Sequence, residues 1–261
     1  MYKVLAVILA RGGSKAIPKK NMSDINGHPL IAYTVCEAKL SKHITDIVVS
    51  SDDDDIRRAA EDYGALAPFK RPEDLSGDKA KPVECNLHAT RFMENLMGYK
   101  YDYVVELLCT NPFKNSLDID TALEMQFKTN ADSVIGVMRL DDHHPIRIKK
   151  LEDGYIREFC LPEIPESTRQ DLKPDAYIRN GSIYSMRRDM LEQKIRYGTE
   201  NSLAYIMPRE RTVNIDEPMD LEIARILMEK NPRKYIKIVD KKDKRWKLLS
   251  LVMEFKEGLK L

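Results

Sequence analysis

Four cysteines, Cys36, Cys85, Cys109 and Cys160, include no C-x-x-C pair. That spacing argues against a disulfide framework or a zinc knuckle, and for a reducing, cytoplasmic setting. No apolar run reaches the ~18 to 20 residues that a membrane-spanning helix needs. The start, MYKVLAVILARGG, has no small-residue cleavage site and reads as a buried strand rather than a signal, so no membrane partner is expected. Charge of one sign is missing too: the net charge is +1 with 33% charged residues, which leaves no global field to hold nucleic acid. Neither G-x-x-x-x-G-K-[ST] nor G-x-G-x-x-G occurs. A Walker-type phosphate loop is thereby excluded, and an NAD-dependent oxidoreductase ranks last among nucleotide-binding readings. Repeats and low-complexity tracts are absent.

What is present is a length of 261 residues, enough for one large core. Val- and Ile-rich runs of strand length recur at 3–10, 46–51, 102–108 and 132–138, and segments of helical spacing lie at 29–40, 54–64, 83–97 and 117–127. Strand then helix, repeated, predicts an α/β fold whose mostly parallel sheet is covered by helices on both faces. Between about 139 and 178 the pattern breaks into polar, proline-containing pieces, which predicts an inserted β-rich flap or dimer contact. His143 and His144 fall there and are expected at the surface or in that contact. Strand-like 182–186 and 203–207 return to the core, and 217–230 reads as a helix with Pro218 in its first turn. The expected division is a domain over 1–231 and a basic helical extension over 232–261, where Trp246, Leu249, Val252 and Phe255 recur at helical spacing.

The turn after the first strand carries the strongest chemical signal. Residues 7–21, VILARGGSKAIPKKN, bring Arg11, Lys15, Lys19 and Lys20 together with Gly12, Gly13, Ser14 and Asn21. Such a turn lies at the carboxyl edge of a parallel sheet, where cationic side chains and backbone N–H groups suit phosphate. Arg11 can fork two phosphate oxygens, and Lys15 and Lys20 can neutralise a polyphosphate tail. A solvated basic loop is the competing reading of any such turn. Acids 52–55 read as helix-capping residues, with Asp52 alone kept as a site candidate.

L-A-R-G-G-S-K-x-I-P-x-K-N resembles the opening motif of the acylneuraminate cytidylyltransferases, which make CMP-activated sialic and related nonulosonic acids. Further resemblances follow in order: GHPLIAYTV (27–35), DIVVSSDDDDI (46–56), FKRPEDLSGD (69–78), DSVIGV (132–137), HHP (143–145), RQDLKPDAYIRNGSIY (169–184) and VNIDEPMDLEIAR (213–225). They extend to about residue 231. The resemblance implies a Rossmann-like nucleotide-diphospho-sugar transferase fold with a small inserted dimerisation region, a homodimer, and a role in cell-surface polysaccharide biosynthesis. It implies transfer of CMP from CTP to the anomeric hydroxyl of a small acidic 2-keto sugar, with release of pyrophosphate and dependence on Mg²⁺.

Residue by residue, the resemblance implies that Arg11, Lys15 and Lys20 stabilise the departing pyrophosphate, with Gly12, Gly13 and Ser14 in the nucleotide loop. Asn21, Arg71 and Asp78 match nucleotide positions, although Asp78 reads equally well as a turn or helix cap. Asp216 and Asp220 are the expected metal ligands, with Asn214 where the family motif D-I-D has its first acid. Asp216 read alone is also a natural helix N-cap. In the acceptor region, Leu108 replaces a glutamine that can hydrogen-bond, within LCTNPFK (108–114). Thr110, Asn111, Arg169, Gln170, Asn180 and Tyr184 complete the implied acceptor set, Arg169 pairing with the substrate carboxylate. Cys109 beside them reads as a small buried thiol. Leu108 and Asn214 leave two alternatives open: a same-fold cytidylyltransferase acting on a phosphonate or another keto acid, and a non-catalytic nucleotide-binding homologue.

Overall fold

Along Val4–Leu9, the first strand (β1), side chains alternate between two buried layers, Val4, Ala6 and Ile8 on one face and Leu5 and Val7 on the other. Alternation with both faces buried is what a central strand between two helical layers requires. The computed structural model describes residues 2–166 and 168–239. β1 is followed by a small hairpin of β2 (Asp24–Ile25) and β3 (His28–Pro29), then α1 (Leu30–Leu40), β4 (Asp46–Ser50), α2 (Asp54–Tyr63), α3 (Pro82–Met97), β5 (Tyr103–Leu107), α4 (Ser116–Thr129) and β6 (Ser133–Leu140). A second hairpin, β7 (Lys149–Glu152) and β8 (Tyr155–Glu158), precedes β9 (Ala176–Arg187), α5 (Arg188–Glu192), β10 (Ser202–Ile206) and α6 (Pro218–Lys230).

The main sheet has the order β10-β6-β9-β5-β1-β4. β1 pairs in parallel with β4 and β5, and β10 with β6, whereas β9 is antiparallel to both β5 and β6. Residues of α1, α2, α4 and α6 pack on one face, and residues of α3 and α5 on the other. The expected α/β sandwich is therefore present. β9 is longer than the 182–186 strand read from the sequence, because its first residues pair with the end of β6 as an exposed two-stranded arm beyond the sheet. There Tyr177, Ile178 and Arg179 all face solvent, without the buried–exposed alternation of a half-buried strand.

The 139–178 stretch leaves the sheet along that arm and returns along it. At its tip Asp153 and Gly154, both at positive φ, make the tight turn of the β7–β8 hairpin. His144 is not at the surface. It is 2% exposed, with Nε2 bonded to the Pro174 carbonyl at 2.8 Å and Nδ1 accepting from Ile146 N–H. No helix among the described residues is long and apolar enough to cross a membrane. Residues 232–239 run back over the body, with Ile236 buried in the core. The Trp246–Phe255 stripe lies outside the described residues.

Candidate active site

Since β1, β4 and β5 are parallel, the segments that follow them meet at one sheet edge. β9, running the other way, brings Arg179–Ser182 to the same edge, where Ser182 O accepts from Leu108 N–H at 3.1 Å. A cleft of about 350 Å³ opens there, lined on its polar side by Arg11, Ser14, Lys20, Asn21, Arg71 and Asp78.

The turn is held from several directions. Asn21 Nδ2 donates to Arg11 O at 3.1 Å, and Asp52 Oδ1 accepts from Gly12 N–H at 3.0 Å. A Cβ on Gly12 would lie 2.9 Å from the Asp53 side chain, so only glycine fits there. Asp53 is the N-cap of α2, accepting from Asp55 and Ile56 N–H, and Lys19 pairs with Asp55 rather than facing the cleft. With the Gly12 and Ser14 N–H groups bonded inside the protein, the turn's larger contribution to anion binding is the charge on its side chains. Arg11 and Lys15 both bind the Asp78 carboxylate, at 2.7 and 2.5 Å. Lys15 and Arg11 hold that carboxyl below its usual range. Arg71 is buried against Ser50, and burial pushes its guanidinium down from its ordinary value.

Lys20 joins the turn to the segment before α6. Its Nζ donates to Ile215 O at 2.6 Å and lies 3.2 Å from Asp216 Oδ1. The turn and that carboxylate, nearly 200 residues apart in the chain, thus meet through Lys20, which lines the cleft, while Asp216 is outside the lining. Asp216 Oδ2 accepts from Asn214 Nδ2, while Asn214 Oδ1 is buried with no donor. Asp220 is placed differently. Its Oδ2 accepts from the backbone of Asp216 and Glu217, closing a capping box in which Glu217, not Asp216, is the N-cap. Among the described residues no three His, Cys, Asp or Glu side chains cluster as a metal site.

A second cleft, of about 430 Å³, is lined by Asn180, Gly181, Tyr184, Asn214 and Thr212, with Met138, Ile178 and Arg179. It adjoins the first, because Thr110, which lines the first, accepts Ile215 N–H at 2.7 Å next to Asn214. Asn180 Oδ1, on a residue of this lining, is buried without a hydrogen-bond partner among the described residues. Leu108 lines the first cleft with an apolar side chain. Asn111 is fully buried and lines neither cleft; its Oδ1 accepts from Phe113 and Lys114 N–H, holding the turn into α4. Arg169 bonds Asp142 and Gln170 is exposed on the inserted arm, so neither lines these clefts.

Sequence reasoning missed the supports of the 108–115 loop. Lys114 is fully buried, its Nζ donating to Thr34 Oγ1 at 3.0 Å and to the Leu108 and Asn111 carbonyls at 2.6 Å each. Arg233, from the segment after α6, donates to Phe113 O and Lys114 O and to the buried Glu37 at 2.6 Å. Burial pushes the Cys109 thiol up to about 12, so it stays neutral. Burial pushes the Lys114 ammonium down to about 7. The folded chain then holds this proton less tightly than the unfolded chain, and the stability contributed at this site rises as the pH climbs from about 7 towards the ordinary lysine range. Lys114→Met strands two carbonyls and should cost about 2–4 kcal/mol. Urea unfolding at several pH values checks both points: the cost at neutral pH, and a stability advantage over the variant that grows across that window.

A family model described as cytidylyltransferase matches residues 5–244. The pseudaminic acid cytidylyltransferase of Campylobacter jejuni is 32% identical over 230 residues, covering 88% of this chain and 97% of that protein. The CMP-N,N'-diacetyllegionaminic acid synthase of Legionella pneumophila is 33% identical over 235 residues, covering 88% and 97%. A CMP:2-keto-3-deoxy-manno-octonic acid synthetase complexed with CTP has the same fold, with a TM-score of 0.63 at 20% identity over 87% of this chain and 99% of that one.

Proposed function

The chain belongs to the cytidylyltransferase family, and on that premise we propose that it transfers CMP from CTP to the anomeric hydroxyl of a nonulosonic-type 2-keto sugar acid, releasing pyrophosphate. The observation that carries this reading is the 3.2 Å approach of Lys20 to Asp216, which brings a carboxylate against the cationic turn that lines the cleft. In this reading the first cleft takes CTP, with Arg11, Lys15 and Lys20 on the triphosphate, after the phosphates displace the Asp78 carboxylate from Arg11 and Lys15. Asn180 and Tyr184 in the second cleft meet the acceptor, whose hydroxyl attacks the α-phosphate in line with the departing pyrophosphate.

The residues present fit Mg²⁺ sparingly. One carboxylate, Asp216, stands beside the unpartnered amide oxygen of Asn214, and Mg²⁺ commonly takes one or two carboxylates plus phosphate oxygens and water. When bound, Mg²⁺ would supply neutralisation of phosphate charge. Asp220, engaged in the cap, is left out of this set.

A homodimer formed through the 139–178 insertion completes the proposal. Leu151, Tyr155, Ile156 and Phe159 stand exposed on and beside its hairpin, an apolar surface of the kind that protein contacts bury. Arg169 and Gln170, which do not line the clefts of their own chain, belong to this insertion. A cytoplasmic setting and a part in cell-surface polysaccharide synthesis are proposed with it; Cys36, Cys85, Cys109 and Cys160 are free thiols, which suits a reducing compartment.

The test is pyrophosphate release from CTP and Mg²⁺ across a panel of 2-keto sugar acids. Release with at least one is expected. Bound CTP with no release from any acceptor would contradict the proposal and favour a non-catalytic nucleotide-binding role. Release only with a phosphonate or another keto acid would favour the second reading, which the apolar Leu108 side chain in the cleft supports. Arg11→Ala should lower turnover about 10²-fold, or about 3 kcal/mol, through loss of one contact to developing phosphate charge. Steady-state kinetics check it, and unchanged turnover removes Arg11 from that role.

A further inference from the structure

Glu106 of β5 stands directly opposite Tyr184 of β9, and strand alternation turns both towards the α3 side of the sheet. Both are buried, Glu106 in the lining of the first cleft and Tyr184 in that of the second. One residue between α5 and β10 engages the two together. Arg196 donates to both Glu106 oxygens, at 2.7 and 2.8 Å, and its guanidinium carbon lies 3.6 Å from the centre of the Tyr184 ring. Its side chain is 15% exposed and lines neither cleft.

A guanidinium carries its N–H donors in one plane and leaves its face free to stack. Arg196 directs the donors to Glu106 and the stacking contact to Tyr184, so the ring is held by a cation that is itself fixed. Asn86 Nδ2 donates to Glu106 Oε2 at 2.6 Å and ties the carboxylate to α3. A carboxylate buried in an apolar strand is costly without such donors, which keeps the clasp formed. β9 supplies the reason that the ring needs a hold. Its partner on β6 passes from Ile135 at Tyr184 to Val137 at Arg179, so residues 180–183 face the single residue Gly136. An irregularity of this kind re-aims side chains. The ladder with β6 loses its regularity at Tyr184, and side-chain contacts set the direction of the ring instead.

We propose that Arg196 is a positioning residue for the reaction, one that holds Tyr184 at the wall of the second cleft and takes its own fixed place from Glu106. A side chain that touches neither substrate thereby sets the shape of the acceptor wall. The inference rests on the second cleft being the acceptor site.

The test is steady-state kinetics at saturating CTP and Mg²⁺, with the 2-keto sugar acid that releases most pyrophosphate in the panel above. Four proteins are compared: the unaltered chain, Arg196→Lys, Tyr184→Leu and the double variant. Lysine keeps a positive charge beside Glu106 but offers neither the fork nor the flat face. Arg196→Lys should raise the KM for the acid about tenfold and leave the KM for CTP within about twofold of wild type. In the Tyr184→Leu background the same substitution should change the acid's KM less than about twofold, because the ring through which Arg196 acts is gone. An acid KM unchanged in Arg196→Lys, or raised equally with and without the Tyr184 ring, overturns the inference and leaves Arg196 only the task of neutralising Glu106. Thermal melting reports whether the variants fold. If Arg196→Lys does not, Glu106→Gln keeps the arginine, weakens its anchor and is read by the same criteria: the acid's KM should rise at least about threefold, and only while Tyr184 is present. Pyrophosphate release with no acid contradicts the acceptor reading of the second cleft, and this inference with it; release that the variants leave unaltered contradicts the inference alone.

Discussion

Lys20→Met should lower turnover by about 10²- to 10³-fold, the cost of removing one preorganised donor from a charge that grows in the transition state. Lys20 differs from the other cations of the turn in being held. Lys15 is largely exposed and Arg11 leans on Asp78, but Lys20 is tied at 2.6 Å to the Ile215 carbonyl with its side chain only 13% exposed. Its ammonium is therefore in place before a nucleotide arrives, and a partly water-excluded charge acts more strongly than an exposed one. Methionine keeps the length and apolar stem while deleting the charge. Kinetics with saturating CTP should place most of the loss in kcat, and a variant that raises only KM would mean that Lys20 binds ground-state and transition-state phosphate equally.

Asp216→Asn should be at least as damaging, with turnover reduced by about 10³-fold and the Mg²⁺ concentration for half-activation raised more than about tenfold. The reason lies two residues earlier. Asn214 already supplies an uncharged oxygen where the family motif has an acid, so the substitution leaves this pair with no anionic ligand. Asn214→Asp is the converse experiment and should lower the Mg²⁺ requirement. Asp220→Asn serves as a contrast, since its carboxylate caps α6. It should cost about 1 kcal/mol of stability and leave the Mg²⁺ requirement alone. Mg²⁺ titrations of activity, beside melting curves, separate the three variants.

The strands and helices of the sandwich were legible because both faces of the sheet are buried, which leaves long apolar runs such as 3–10 and 102–108 in the sequence. The direction of β9 was not, since antiparallel insertion between β5 and β6 is decided by pairing partners far away in the chain. The cationic turn was legible because its residues are contiguous, and the spacing of Asp216 and Asp220 suggested a shared task. In the structure the two divide the work, Asp216 facing Lys20 and Asp220 the start of the helix. Asn111 matched a motif position but serves the backbone of its own turn. Glu106 left a faint signal, a single charge inside an apolar strand, and its partner Arg196 lies 90 residues on. Lys114 left less, because a lysine in a polar loop gives no sign of complete burial; only the enclosure by Thr34, Leu108, Asn111 and Arg233 reveals it.

The most direct test is a crystal structure of the chain with CTP and Mg²⁺. The account predicts a triphosphate that touches Arg11 and Lys20, with the ion between its oxygens and Asp216. A nucleotide bound outside this cleft, or phosphates directed away from Asp216, would contradict it.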